Sequence, residues 1–116
     1  ISKSPDIDSR FGRCPLERYH TAQQHALRCR ALLEALMSDY DALLCPAAPG
    51  EAPEGLTSTG SAVFNSTWTL MHVPTVSLPG FKGSHGLPVG VQLIGPARQD
   101  RRLRAVAAFA AGSFAR

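Results

Sequence analysis

Several features that mark common classes of protein are scarce in this chain. Its three cysteines, Cys14, Cys29 and Cys45, form no CxxC pair. The sequence therefore suits neither a disulfide framework nor a cysteine-rich zinc site and fits a reducing compartment, so we expect a cytoplasmic protein. No apolar run approaches the roughly 20 residues of a membrane span, and residues 1–6 are too polar for a secretory signal. We expect no membrane partner.

Strong charge of one sign is also missing. Twelve basic and nine acidic residues give a formal net charge of +3 in 116 residues, and 44% of the residues are hydrophobic. This balance is weak support for a nucleic-acid partner, and we expect none. Four of the basic residues fall close together at Arg98, Arg101, Arg102 and Arg104. They would begin a helix, where the helix dipole disfavours cations, so a salt bridge or an anion there would relieve the repulsion.

The histidines do not form a metal-binding pattern. His20 and His25 are five residues apart, so they do not share a helix face as ligands at i and i+4 do. His72 and His85 have no matching carboxylate motif. We predict no metal site.

Candidates for nucleophilic catalysis within the chain are weak. Cys45, with His72 or His85 and Asn65, offers the residue types of a cysteine hydrolase, but a small buried cysteine is the favoured interpretation. Ser84 lies in a glycine-containing stretch and two residues from a lysine, a spacing typical of a turn, and no serine lies in G-x-S-x-G. We predict no catalytic residue in this chain.

Hydrophobic spacing predicts alternating helices and strands. Residues 1–13 are polar and aperiodic and are predicted to be a tail or the remnant of an upstream element. A helix with Pro15 in its first turn is indicated by one apolar stripe. The stripe contains Tyr19, Ala22, Ala26, Cys29, Leu33, Leu36 and Tyr40. The apolar run 41–46 follows as a buried strand that proline ends. Helix followed by buried strand indicates an α/β fold.

The second half of the chain continues this alternation. An irregular loop rich in proline and glycine covers 46–60, and a short helix is predicted within 62–71. Residues 75–79 and 88–94 alternate as strands, joined by a glycine-rich turn over 80–86. Asp100 then caps a last helix, with Leu103, Val106, Ala107 and Ala110 inward and Gly112 past its end.

The passage 65–79, with Asn65, Trp68 and Pro74, and the passage Gly-Leu-Pro-Val-Gly-Val-Gln-Leu-Ile-Gly over 86–95 resemble the C-terminal end of amidase signature family hydrolases. The resemblance implies that residues 14–116 are the C-terminal part of an amidase α/β domain, with strands of a mixed sheet covered by helices. The family's catalytic serine, second (cis) serine and lysine lie in an upstream Gly/Ser-rich segment that has no counterpart here.

The resemblance therefore implies an inactive C-terminal fragment of an enzyme that cleaves C–N amide bonds by acyl transfer to serine, without a cofactor. Its partners would be the missing N-terminal portion and a small amide substrate. The alternative is a self-contained, non-enzymatic α/β binding module. If the 116 residues are a fragment, an apolar strand over 41–45 would have unpaired edges, so we also expect self-association.

The same resemblance suggests which residues would line the acyl-group pocket. Thr59 and Asn65 would give polar contacts, and Phe64 and Trp68 apolar ones. The chain departs from the family pattern at His72, where many members have glycine. Residues 61–63 also lack the acid that binds a substrate amino group in the tRNA-dependent glutamine amidotransferase branch, which favours a general or aryl amidase.

Overall fold

The fold is given by a computed structural model that describes residues 14–114, so the predicted tail over 1–13 lies outside the described residues. Helices and strands alternate as expected, and the α/β class is confirmed. The elements in chain order are α1 Leu16–Met37, β1 Leu43–Pro46, α2 Ser66–Met71, β2 Thr75–Lys82, β3 Pro88–Ile94 and α3 Asp100–Phe114.

The long helix α1 begins where the sequence predicts. Pro15 precedes it with a φ of −58°, and its carbonyl accepts the backbone N–H of Tyr19 at 3.1 Å, so proline forms the start without losing a helical donor. Of the predicted apolar stripe, Ala26 is buried, but Tyr19 and Leu36 remain about half exposed. The described residues therefore cover only part of this stripe.

The sheet has three strands in the order β1-β3-β2, and both pairings are antiparallel. The expected mixture of strand directions is therefore not seen among these three strands. The turn between β2 and β3 is shorter than predicted, because β2 continues through a bulge between Pro79 and Phe81 to Lys82. Gly83 then donates its N–H to the Leu87 carbonyl at 2.9 Å and closes the turn.

The core lies between α3 and one face of the sheet. Leu78 and Leu93 from the strands pack against Leu103 and Ala107 from the helix, and all four are buried. The inward positions predicted for the last helix are confirmed, but Gly112 lies inside α3 and does not follow its end. Helix α3 packs along β2 and continues past this glycine to Phe114. The ring centroids of Phe114 and Phe81 lie 5.9 Å apart in an edge-to-face arrangement.

Strand β1 is less buried than predicted. It pairs only with β3 within the described residues, and Leu44 is 57% exposed. Leu44 stands opposite Leu93 in the register and therefore points to the face that α3 covers elsewhere. The prediction of a buried strand is wrong for the described chain because neither a further strand nor α3 reaches this edge.

The open edge and Leu44 predict self-association of the isolated chain, because unpaired strand edges with apolar side chains pair readily with another chain. Sedimentation velocity over a concentration series should show a dimer, and Leu44→Lys should raise its dissociation constant about tenfold or more. Leu56→Lys is the matched control, since Leu56 is fully exposed in the loop. A monomer that persists at tens of micromolar and unfolds cooperatively would contradict this prediction.

Candidate functional site

An open cleft of about 370 Å³ lies between the irregular loop after β1 and the hairpin formed by β2 and β3. We call it the loop cleft. The proline-rich loop predicted from the sequence forms most of its wall, and Pro88 and Gly90 of β3 form the rest. The loop residues that line it are Ala48, Pro49, Gly50, Glu51, Ala52, Pro53, Thr59, Gly60 and Ser61. Proline and glycine favour an irregular path for this loop, because proline lacks the N–H that a strand pairing needs and glycine permits turns.

Glu51 fastens this loop to the hairpin. Its Oε1 accepts the backbone N–H groups of His85 at 2.8 Å and Leu87 at 3.3 Å, and its Oε2 lies 2.9 Å from Nδ1 of His85. The Glu51 side chain is only 13% exposed. A Cβ at Gly83 would overlap its carboxylate, so the turn has room for Glu51 only because position 83 is glycine. Sequence reasoning missed this contact, because nothing local distinguishes Glu51 from Glu54.

Gln92 is the one polar residue that is buried within residues 14–114, with 2% exposure. Its Nε2 donates to the carbonyl oxygens of Pro46 at 3.2 Å and Phe64 at 3.0 Å, and lies 3.2 Å from Sγ of Cys45. One carboxamide on β3 therefore joins the end of β1 to the segment that leads into α2. The sequence placed Gln92 on the strand face opposite Val91 and Leu93 but gave no partner for it.

The four predicted pocket-wall residues do not share one cavity. Thr59 lines the loop cleft, whereas Phe64, Asn65 and Trp68 are absent from its lining. Phe64 and Asn65 lie together just before α2, where the Phe64 carbonyl accepts from Gln92 and the Asn65 Nδ2 donates to the Ala47 carbonyl at 3.3 Å. Trp68 is half-buried in α2 itself. These contacts hold residues 64 and 65 beside the loop that carries Thr59.

Ser84, His85 and Glu51 have the composition of a catalytic triad but not its geometry. Ser84 Oγ lies 3.3 Å from Nδ1 of His85, and Glu51 Oε2 lies 2.9 Å from the same nitrogen. A triad requires the nucleophile and the acid on opposite ring nitrogens, so that the imidazole can accept the nucleophile's proton while the acid orients it. Here the Ser84 hydroxyl and the Glu51 carboxylate both contact Nδ1 of His85. This arrangement favours a structural role in the turn over a catalytic one.

The cysteine-hydrolase set is not assembled either. Cys45 has hydrogen-bond partners in Gln92 and the Pro46 carbonyl among residues 14–114. His72 lies 3.2 Å from an Arg30 nitrogen, and His85 is paired with Glu51. Neither histidine is within hydrogen-bonding distance of the Cys45 thiol in the described part of the chain. The thiol therefore has no base to activate it there.

The backbone conformation at His72 explains why many members of the family that the chain resembles have glycine at this position. His72 ends α2 with a φ of 59° and a ψ of 39°, the left-handed conformation that glycine adopts without steric cost. The imidazole is stabilised there by the Arg30 contact.

The described residues do not assemble a metal site. Between Cys14 and Phe114, no group of three His, Cys, Asp or Glu side chains is placed to hold a metal ion. No helix in that range has both the length and the apolar composition needed to cross a membrane.

Comparison with known proteins identifies the family. The sequence model of the family named Amidase matches residues 13–103, which is most of the chain and includes the loop cleft, Gln92 and every predicted pocket-wall residue. The chain belongs to the amidase family. This confirms the resemblance stated from the passages 65–79 and 86–95.

Individual relatives agree with this membership. The chain is 37% identical over 98 residues to a glutamyl-tRNA(Gln) amidotransferase subunit from Paenarthrobacter aurescens, with 78% of this chain and 19% of that protein covered. It is also 37% identical over 99 residues to the corresponding subunit from Thermus thermophilus, with 78% and 21% covered. The chain thus spans about a fifth of the length of these relatives.

The Gln92 contacts predict a measurable loss of stability. Gln92→Leu keeps the side-chain size but leaves the Pro46 and Phe64 carbonyls without their donor in a part-buried site, which should lower the free energy of unfolding by about 1 kcal/mol. Gln24→Leu on the exposed side of α1 should change it by less than about 0.5 kcal/mol. Urea denaturation followed by circular dichroism compares the two variants. Equal midpoints for Gln92→Leu and the wild type would show that the carboxamide does not hold the junction.

Proposed function

We propose that this chain supplies part of the substrate-pocket wall of an amidase, and that the serine, second serine and lysine of the reaction come from residues outside it. The observation that carries the proposal is the family match over residues 13–103 in a chain that spans about a fifth of its relatives' length. A wall segment needs fixed backbone more than reactive groups, and the contacts of Gln92 and Glu51 provide that fixed backbone.

In this proposal the complete enzyme hydrolyses the C–N bond of a linear amide by acyl transfer to serine and then to water, without a cofactor. Phe64 and Trp68 would contact the apolar part of the acyl group, and Thr59 or Asn65 would give it a polar contact. The half-buried state of both aromatic residues supports their part in a wall, since each keeps a surface that a substrate could cover.

The names of the relatives bear on the substrate. The amidotransferase relatives suggest that branch, whereas residues 61–63, Ser-Ala-Val, contain no acid to bind a substrate amino group. We infer an amide substrate that is held without such an acid contact, and a pocket that selects mainly by the shape of its apolar wall.

The proposal predicts that the isolated 116-residue chain does not hydrolyse aryl amides or esters above a heat-treated control. Neither the Ser84 nor the Cys45 contacts provide an activated nucleophile, and pocket walls without reacting groups give no rate enhancement of their own. A chromogenic amide and ester, each tested at millimolar concentration, suffice for the measurement. Turnover that is lost in Ser84→Ala or Cys45→Ala would refute the proposal.

The alternative of a self-contained binding module is tested with the same samples. Trp68 is the sole tryptophan, so its fluorescence reports on the surroundings of α2. The wall proposal predicts little change when simple amides are added, because the other half of the pocket is missing. A saturable quench at micromolar ligand would favour the binding module.

A further inference from the structure

A second and larger cavity, of about 550 Å³, lies where α1, the end of α2 and the segment before α3 meet. We call it the helix-junction cavity. Its floor is apolar, with Leu33 and Met37 from α1 and Met71 and Val73 from the end of α2. Met37 and Met71 are 3% and 8% exposed, so the floor is well packed. This volume is in the range of small-molecule sites, and the lining is about half apolar and half polar.

The charged residues around this floor are mostly basic. Arg30, Arg98 and Arg102 line the cavity, with Glu34 as the one acidic lining residue in the described chain. Arg102 is paired with Asp41 outside the lining, at 2.8 Å. Arg30 and Arg98 have no carboxylate within salt-bridge distance among residues 14–114.

Arg30 is held in place by neutral groups. Its Nε and one terminal nitrogen donate to the Leu70 carbonyl at 3.0 and 2.8 Å, and the same terminal nitrogen lies 3.2 Å from Nε2 of His72. These bonds leave the other terminal amino group, Nη1, without a hydrogen-bond partner in residues 14–114. The guanidinium is therefore fixed in position while its charge and two donors stay available to a ligand.

We propose that the helix-junction cavity binds a small organic carboxylate, with its carboxylate between Arg30 and Arg98 and its apolar part on Leu33 and Val73, which are half-buried. Guanidinium groups suit a planar carboxylate, and the floor adds affinity only to a ligand with an apolar body. The site lies away from the loop cleft and does not depend on the proposed amidase role. It also gives Arg98, which lies two residues before α3, an anionic counterpart.

The test is a titration of the 116-residue chain with benzoate, followed by ¹H–¹⁵N chemical shifts. We expect saturable chemical-shift changes at the cavity residues, with a dissociation constant of about 1 mM for benzoate. The neutral analogue benzamide and inorganic phosphate should bind far more weakly. Arg98→Asn should weaken benzoate binding about tenfold, while asparagine tolerates the left-handed φ of 64° at this position.

Two matched variants complete the design. Arg104→Gln removes the same charge from an exposed position of α3 outside the cavity and should leave benzoate binding within about twofold. Glu34→Gln removes the acidic residue of the lining and should tighten binding about two- to fivefold. The proposal is overturned if benzoate gives no saturable shifts below about 20 mM, or if benzamide or phosphate binds as well as benzoate. Equal weakening by Arg98→Asn and Arg104→Gln would also overturn it, since binding would then follow net charge.

Discussion

The carboxamide of Gln92 connects three parts of the chain that are distant in sequence. It lies on the central strand β3, donates to the last residue of β1 and donates to Phe64 ahead of α2. Because the Gln92 side chain is buried, its carboxamide depends on these protein partners in place of water. The path of the loop between β1 and α2 is therefore fixed at both ends by one side chain.

Glu51 fixes the same loop in its middle. It accepts backbone donors from the turn between β2 and β3, which leaves the loop attached to the sheet at Pro46, Glu51 and Phe64. A loop of this length without regular structure would otherwise sample many conformations. These three attachments restrict the conformation of the loop. This restriction is the physical basis for the proposed place of the loop cleft in an amidase pocket.

The local elements were predictable from the sequence, whereas the contacts that build the site were not. The periodicity of α1, β2, β3 and α3 gave their types correctly, because it depends on neighbours in sequence, although α3 already includes the predicted cap residue Asp100. The partners of Gln92 lie 28 to 47 residues away, and those of Glu51 lie 34 to 36 away, so no local pattern announces them. The burial of β1 was overestimated for a related reason. The strand has the apolar composition of an interior strand, but nothing in the described chain covers Leu44.

The most direct test of the pocket-wall role is a chimera. Residues 14–114 of this chain would replace the matched fifth of the Thermus thermophilus relative, with the Gln92→Leu chimera as a control for the wall's rigidity. If the chain is a pocket wall of the amidase fold, the chimera should fold and hydrolyse an amide that has no amino group with at least about a tenth of the relative's kcat/KM for that amide, with the Gln92→Leu form clearly lower. A chimera that folds with a cooperative unfolding transition but has no activity would contradict that role.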